Sequence, residues 1–158
     1  LYAGLILTDA GIRVIEFYAR SAAPETQVVL PRLATPLSSL LFAAASGTLD
    51  EADAPRFALD TAVTVVLASE GYPEAPQTGR VITGLDAASA VDGVHIAHAA
   101  TTQRGDELVA SGGRVLSVVA VGTTFAESVE RAYRAIGEIG LDGSHYRSDI
   151  AARVIEGN

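Results

Sequence analysis

Two apolar runs open the chain, and their pattern predicts a β-hairpin. Residues 1–7 are almost entirely apolar, residues 12–17 are apolar apart from Arg13 and Glu16, and the residues between the two runs are Thr, Asp, Ala and Gly. Asp supplies a side-chain turn bond and Gly a permissive φ, as a tight turn between antiparallel strands requires. The near-continuous apolar run at residues 3–7 is typical of a strand covered on both faces, so we expect this first strand to be buried.

The next segment predicts one helix and then a linker. Residues 36–45 are mostly Leu and Ala, with Thr35 placed as the N-cap, Pro36 in the first turn and Gly47 just beyond the end. Residues 49–60 are acidic, contain Pro55 and show neither helical nor strand periodicity. We therefore expect a domain boundary there, which divides the chain into residues 1–48, a linker at 49–60, and residues 61–158.

Short strands dominate the second part of the chain. The pattern predicts strands at residues 62–68, 80–83, 94–97, 107–110 and 114–121, separated by turns that contain Gly. Apolar residues then recur at three- and four-residue spacing over 124–139, which predicts an amphipathic helix. Thr124 and Glu127 have the spacing of a capping box at its start, and Gly140 is expected to end it. The predicted fold class is α+β.

Composition narrows the classes of function. The chain has 158 residues, 49% of them hydrophobic, and a mean hydropathy of +0.30, so it can form a packed core. No apolar run reaches the ~18 residues of a membrane span, and the absence of Cys fits a cytoplasmic protein. A net charge of −8 disfavours binding to nucleic-acid backbones. Because the chain opens with Leu1 inside a predicted strand and has no Met, we expect a fragment, a processed piece or an engineered chain.

Three polar residues near the second strand are candidates for chemistry. Strand alternation places Glu16 and Tyr18 on the same face. A carboxylate with a second oxygen ligand there could hold Mg²⁺, whereas a protonated phenol is a poor ligand for a hard cation. Alternatively, Glu16 faces solvent or pairs with Arg13 or Arg20. Arg20 could bind a phosphate or a carboxylate through its planar guanidinium.

Other polar residues favour structural roles. His95 and His98 are three residues apart on a predicted strand, which points them to opposite faces and argues against a metal pair. Arg147 and Asp149 are expected to tie the C-terminal tail to the domain. The pair Gly112 and Gly113 lacks the following Lys of a phosphate loop and predicts a turn before a strand.

The sequence V-I-E-F-Y-A-R-S-A-A-P-E-T-Q at residues 14–27 resembles the motif V-I-E-F-N-x-R-F-G-D-P-E-T-Q of phosphoribosylamine–glycine ligases, which are ATP-grasp enzymes of purine biosynthesis. Family-like segments also occur at residues 62–73, 98–101, 112–116 and 146–150. The resemblance covers residues 1–155. It implies the last strands and helix of an ATP-grasp domain, followed by a small β-rich, barrel- or sandwich-like C-terminal domain with one amphipathic helix.

The resemblance also implies roles for individual residues. Glu16 corresponds to a ligand of the Mg²⁺ that bridges ATP phosphates, and Tyr18 stands where the family has the second ligand, an Asn. Arg20 and Glu25 correspond to residues of the substrate-facing loop. Residues 21–23 are Ser, Ala and Ala where the family has Phe, Gly and Asp. We assign no catalytic residue, and we expect this chain to bind Mg²⁺ and ATP weakly or not at all.

Two hypotheses about function follow. In the first, the chain is a fragment or variant of a ligase that joins glycine to 5-phosphoribosylamine. It resembles an ATP-dependent carbon–nitrogen ligase but lacks the N-terminal domain, the lid over ATP and one metal ligand. It would then be inactive without its N-terminal part, and its other partners would be small-molecule substrates. In the second, it is an engineered or non-catalytic folded module, a scaffold from which the metal and substrate site has been removed.

Overall fold

The computed structural model describes residues 2–157, and these residues form a mixed α+β fold. The strands are β1 (Tyr2–Thr8), β2 (Gly11–Tyr18), β3 (Thr61–Ala68), β4 (Val94–His98), β5 (Thr101–Arg104), β6 (Glu107–Ala110) and β7 (Arg114–Gly122). The helices are α1 (Glu25–Val29), α2 (Leu37–Ser46), α3 (Leu85–Ser89), α4 (Phe125–Gly137) and α5 (Ala152–Glu156), with one 3-10 turn at Leu30–Arg32.

The core is built on a three-stranded antiparallel sheet of order β3-β7-β4. Central strand β7 is buried on both faces, as its unbroken run of Val, Leu and Ala requires. Helix α4 packs on one face of the sheet, against side chains such as Val63, Val65 and Val118. The segment at residues 25–32, which comprises α1 and the 3-10 turn, contacts the opposite face. The sheet therefore lies between the predicted amphipathic helix and the loop that carries the sequence motif.

Helix α4 confirms the predicted cap at its N-terminus. The Thr124 hydroxyl accepts the Glu127 N–H at 3.2 Å, and the Glu127 carboxylate accepts the N–H and the hydroxyl of Thr123, both at 2.7 Å. In a capping box the Glu127 carboxylate would accept the N–H of the N-cap residue Thr124. Here it bonds instead to Thr123, the residue before the N-cap. The predicted C-terminal end is wrong: the helix ends at Gly137, because the backbone of Gly140 pairs with Thr83.

The predicted hairpin forms, but the expectation that its first strand is covered on both faces is wrong. Strands β1 and β2 pair antiparallel, with Thr8 opposite Gly11 at the turn. They form a two-stranded sheet of their own, and most of their large apolar side chains are exposed, Leu7 by 81% and Phe17 by 60%. Leu1, the first residue of the predicted strand, lies outside the described residues. The apolar pattern was correct for strands, but within residues 2–157 nothing covers them.

Three further details correct the sequence prediction. The N-cap of α2 is Pro36 rather than Thr35, because the Thr35 hydroxyl accepts the Arg56 N–H at 2.8 Å. Gly47 ends α2 as predicted, with a φ of 71° that suits a residue without a Cβ. Residues 80–83 are not a regular strand: Val81 bridges to Val109 and Thr83 to Gly140, so neither pairing extends into a ladder.

The sheets are also smaller than those of the predicted barrel- or sandwich-like domain. The described strands form separate sheets of two, three and two strands rather than a closed barrel. The short elements β5 and α3 were not predicted; β5 is a polar hairpin strand, and α3 is a single turn or so that begins after Gly84. No helix in residues 2–157 is long and apolar enough to cross a membrane.

The predicted linker contains no helix or strand within the described chain. It is nevertheless attached at its end, because Ala34 N–H donates to the Arg56 carbonyl at 2.9 Å and Ala58 N–H to the Arg32 carbonyl at 2.7 Å. The division into residues 1–48 and 61–158 stays a prediction.

Candidate functional site

Strand β2 brings Glu16 and Tyr18 together as the alternation of side chains predicts. The Tyr18 hydroxyl donates to Glu16 Oε2 at 2.6 Å. Glu16 lies opposite Gly4 on β1, and a Cβ at Gly4 would come within 3.2 Å of Glu16 Cγ. Gly4 therefore leaves the room that the Glu16 side chain uses. Neither of the ion pairs considered for Glu16, with Arg13 or with Arg20, forms in the described residues.

A second tyrosine joins the other predicted site residues into one group. Tyr2 lies opposite Tyr18 in the hairpin, and their rings stack with centroids 5.8 Å apart. The Tyr2 hydroxyl donates to Glu25 Oε1 at 3.3 Å, and the Arg20 guanidinium lies 4.8 Å from the centroid of the Tyr18 ring. We refer to Tyr2, Glu16, Tyr18, Arg20 and Glu25 as the tyrosine cluster. All four predicted site residues belong to it.

Tyr2 was missed because it carries no motif of its own. The signal that comes nearest is the register of the hairpin: counting back from a turn at residues 8–11 places Tyr2 opposite Phe17, the neighbour of Tyr18. A bulge between Gly4 and Leu5 shifts this register by one residue, so simple counting from the turn places Tyr2 next to the correct partner.

Both phenols of the tyrosine cluster are held in the protonated form. The hydrogen bond to the Glu16 carboxylate, followed by partial burial, raises the pKa of Tyr18. Removal from solvent, followed by the negative charge of Glu25, raises the pKa of Tyr2. Near neutral pH the two tyrosines are therefore hydrogen-bond donors to carboxylates, and neither supplies an anionic oxygen.

The tyrosine cluster does not fit the Mg²⁺ that the resemblance implies. Mg²⁺ takes carboxylate, carbonyl and water oxygens in a near-octahedral arrangement. Here one oxygen of Glu16 accepts a phenol proton, and the phenol oxygen that stands at the second ligand position is neutral. Residues 2–157 contain no group of three or more His, Asp or Glu side chains that could hold a metal ion.

The loop that follows β2 is fixed to the rest of the fold by its backbone. Ala22 is buried, and its carbonyl accepts both the N–H and the hydroxyl of Thr26, at 2.9 and 2.5 Å. Arg20 donates to the Ser21 carbonyl at 2.9 Å. A cleft of about 180 Å³ lies between this loop and Tyr2, and Glu25 Oε2 is buried beside it without a hydrogen-bond partner.

The remaining polar pairs have structural roles. His98 Nδ1 lies 3.1 Å from the Thr101 hydroxyl, and His95 does not join it. The predicted pair of Arg147 and Asp149 forms two hydrogen bonds, at 2.8 and 2.7 Å. These bonds lower the pKa of the Asp149 carboxyl. The bonds that tie this segment to α4 come instead from the Tyr133 hydroxyl.

The fold and its motif define a mixed α+β domain with small antiparallel sheets, preceded by a hairpin that carries the ligase-like sequence. The chain belongs to the family described as phosphoribosylglycinamide synthetase, C domain, whose model matches residues 62–153. The predicted resemblance to the C-terminal part of phosphoribosylamine–glycine ligase is thereby confirmed.

Individual relatives extend the match beyond that domain. The chain is 65% identical to the phosphoribosylamine–glycine ligase of Leifsonia xyli and 56% identical to that of Streptomyces coelicolor, in each case over 97% of this chain and 37% of the relative. The crystal structure of the ligase from Thermotoga maritima superposes on 93% of this chain and 35% of its own, with a TM-score of 0.76 and 31% identity. The chain thus spans little more than a third of the length of these proteins.

Proposed function

We propose that the chain acts as the C-terminal portion of a phosphoribosylamine–glycine ligase and requires the remaining portion for activity. The observation that carries this proposal is the extent of the match. Identity of 65% to a ligase covers 97% of the chain, so the match extends well beyond the C domain at residues 62–153 and into the part of the chain that carries the hairpin.

The exposed apolar side chains of β1, β2 and α2 support the proposal, because a surface of this kind is expected to be covered by another part of a protein. Large apolar side chains on β1, β2 and α2 are between 41% and 81% exposed: Leu5, Ile6, Leu7, Ile12, Val14, Ile15, Phe17, Leu37, Leu41 and Phe42. Large exposed apolar patches mark interaction surfaces in folded proteins. In the proposal, β1, β2 and α2 are the last strands and helix of an ATP-grasp domain, and the rest of that domain covers them.

The proposed chemistry is the ATP-dependent joining of glycine to 5-phosphoribosylamine, as the resemblance implies. In the intact family Mg²⁺ and ATP activate the glycine carboxylate. This chain contributes Arg20 and Glu25 from the substrate-facing loop. Because the tyrosine cluster does not fit Mg²⁺, we expect the reaction to be slow even when the missing portion is supplied. Positioning is worth ~7–11 kcal/mol of a reaction barrier, but only when all reacting groups are held together.

A chimera tests this proposal. The preceding portion of the Leifsonia xyli ligase is joined to this chain, and ATP hydrolysis that depends on both glycine and phosphoribosylamine is measured. We expect low activity that rises on Tyr18→Asn combined with Ala23→Asp and is lost on Glu16→Ala. Glu130→Gln, on the exposed side of α4, is the control. A fully active chimera without the two restoring changes would refute the metal argument, and an inactive chimera with them would refute the ligase role.

The second hypothesis, a non-catalytic module, is favoured by one observation. Tyr18 stands where the family motif has Asn, and its hydroxyl donates to Glu16. The tyrosine therefore occupies a carboxylate oxygen that would otherwise be free to bind a metal. If the chimera stays inactive with both restoring changes although it folds and binds its substrates, the non-catalytic role is the better description.

A further inference from the structure

A cleft of about 370 Å³ lies at the Thr61 end of β3, where several segments of the chain meet. Helix α1 and the 3-10 turn after it form one wall, and the predicted linker, β3 and α4 contribute one residue each. Its size lies within the ~300–1,000 Å³ of pockets that take small molecules. The residues that line it are Val28, Val29, Arg32, Phe57, Ala62 and Phe125.

Backbone bonds hold the linker in place beside this cleft. Leu33 and Phe57 form an isolated antiparallel bridge, and the Ala58 N–H donates to the Arg32 carbonyl at 2.7 Å. The Arg32 guanidinium returns a bond from Nη2 to the Ala58 carbonyl at 3.1 Å. Phe57 is thereby fixed next to Arg32, so the wall of the cleft is formed before any ligand arrives.

Arg32 has a buried donor without an acceptor. Its Nε is buried and has no hydrogen-bond partner, and none of the ion pairs in residues 2–157 involves Arg32. Every other described residue that lines the cleft is apolar. Because a buried donor without an acceptor is costly, an anion in the cleft would supply both the acceptor and the opposite charge.

Two aromatic rings indicate the body of the ligand. Phe57 and Phe125 line the cleft and are both exposed, and neither ring stacks on another aromatic ring within residues 2–157. Phe125 is the first residue of α4, so its position is set by a helix end that Thr124 caps. Stacked or edge-to-face contacts with a flat apolar group would cover both rings.

The chemistry of the cleft favours a carboxylate over a phosphate. A carboxylate carries one charge, and its plane matches the planar guanidinium of Arg32. A phosphate group carries up to two charges and three acceptor oxygens. Arg32 is the one polar residue among those that line the cleft, so a phosphate there would leave oxygens without donors.

We propose that this cleft binds an aromatic carboxylic acid, with the carboxylate on Arg32 and the ring against Phe57 and Phe125. The inference goes beyond the proposed function, because it uses no residue of the tyrosine cluster and no step of the ligase reaction. Val29 lines both this cleft and the one beside Tyr2. A bound acid would therefore touch the same helix that begins with Glu25.

NMR titration of the ¹⁵N-labelled 158-residue chain with 2-naphthoate tests the proposal. The comparison ligands are 2-naphthalenemethanol, which lacks the charge, acetate, which lacks the ring, and 2-naphthyl phosphate, which carries the other anion. We expect 2-naphthoate to bind most tightly of the four and to shift the Arg32 Nε–H signal and the Ala62 amide signal. Arg32→Gln should weaken its binding about tenfold or more, as the loss of a charge-assisted contact predicts. Arg56→Gln, at a nearby exposed arginine that does not line the cleft, should leave it unchanged.

A second variant leaves Arg32 in place, because Arg32 also holds the Ala58 carbonyl. Phe125→Leu keeps an apolar side chain and removes the ring, so it should weaken 2-naphthoate about two- to tenfold and leave acetate unchanged. Undiminished binding of 2-naphthoate in either variant would place the ligand elsewhere, as would shifts confined to other residues.

The comparison ligands decide the chemical class. Equal binding of 2-naphthalenemethanol would show that the charge is not recognised, and equal binding of acetate would show the same for the ring. Tighter binding of 2-naphthyl phosphate would overturn the choice of carboxylate. Binding of none of the four would show that the cleft holds water only. Failure of the ligase chimera would leave all of these binding results standing.

Discussion

Replacing Tyr133 by Phe should destabilise the attachment of the C-terminal tail by a predictable amount. The Tyr133 hydroxyl donates to the Arg147 carbonyl at 2.7 Å and accepts the Ile150 N–H at 3.2 Å. A typical hydrogen bond contributes ~0.5–1.5 kcal/mol net. The bond to Arg147 is exposed and belongs at the low end of that range, whereas the Ile150 bond is partly buried. We therefore expect Tyr133→Phe to lower the free energy of unfolding by about 1–2 kcal/mol.

Thermal and urea unfolding followed by circular dichroism measure this loss, which corresponds to roughly 2–8 °C in Tm for a chain of this size. Tyr146→Phe is the matched control, since the Tyr146 ring lies 6.2 Å from that of Tyr133 and its hydroxyl makes no hydrogen bond within residues 2–157. Amide exchange at Ile150 should accelerate in Tyr133→Phe alone. Equal stability of the two variants, or an unchanged exchange rate at Ile150, would show that the hydroxyl does not hold the tail.

Three further outcomes follow from the structure. The bonds from Thr123 lower the pKa of Glu127. The stability that ionised Glu127 adds to the folded chain is therefore complete above its ordinary pKa of 4.5 and is lost as pH falls through its lower pKa in the folded state. Urea titrations at several pH values should show a smaller loss of stability below pH 4.5 in Glu127→Gln than in the Glu130→Gln control. Limited proteolysis should cut first between Leu49 and Asp60, on the N-terminal side of residues 56–58, whose backbone is hydrogen-bonded. A first cut within β3 or β7 would contradict the predicted boundary. In calorimetry this chain should bind Mg²⁺–ATP weakly or not at all, and Tyr18→Asn with Ala23→Asp should strengthen Mg²⁺ binding; tight binding by the unchanged chain would refute the metal argument.

Elements with a strong local signal were predictable from the sequence. Helix α4 has apolar residues at helical spacing and a cap built from neighbouring residues, so its start was placed correctly. The hairpin likewise depends on a local turn and two apolar runs. Glu16 and Tyr18 are two residues apart on one strand, and their contact follows from alternation alone.

The features that were missed depend on residues far apart in the sequence. Thr35 fails as an N-cap because Arg56 takes its hydroxyl, and α4 ends early because Gly140 pairs with Thr83. Tyr2 joins the tyrosine cluster through the register of a strand pair that contains a bulge. The exposure of β1 and β2 could not be deduced either, because an apolar pattern reports the need for a covering layer and not its presence.

The order β3-β7-β4 governs how this domain can fold. The central strand is the last of the three in the chain, so Leu67 pairs with Leu116 and Ile96 with Val118 only after β7 has been synthesised. Before that point β3 and β4 have no partner in their own sheet and expose their apolar faces. Closing these long loops costs chain entropy before any pairing repays it, which slows folding. A ribosome-bound chain that stops short of Arg114 should therefore be unfolded in this region and susceptible to chaperones and proteases. Release of β7 should bring both neighbouring strands into the sheet in a single cooperative step.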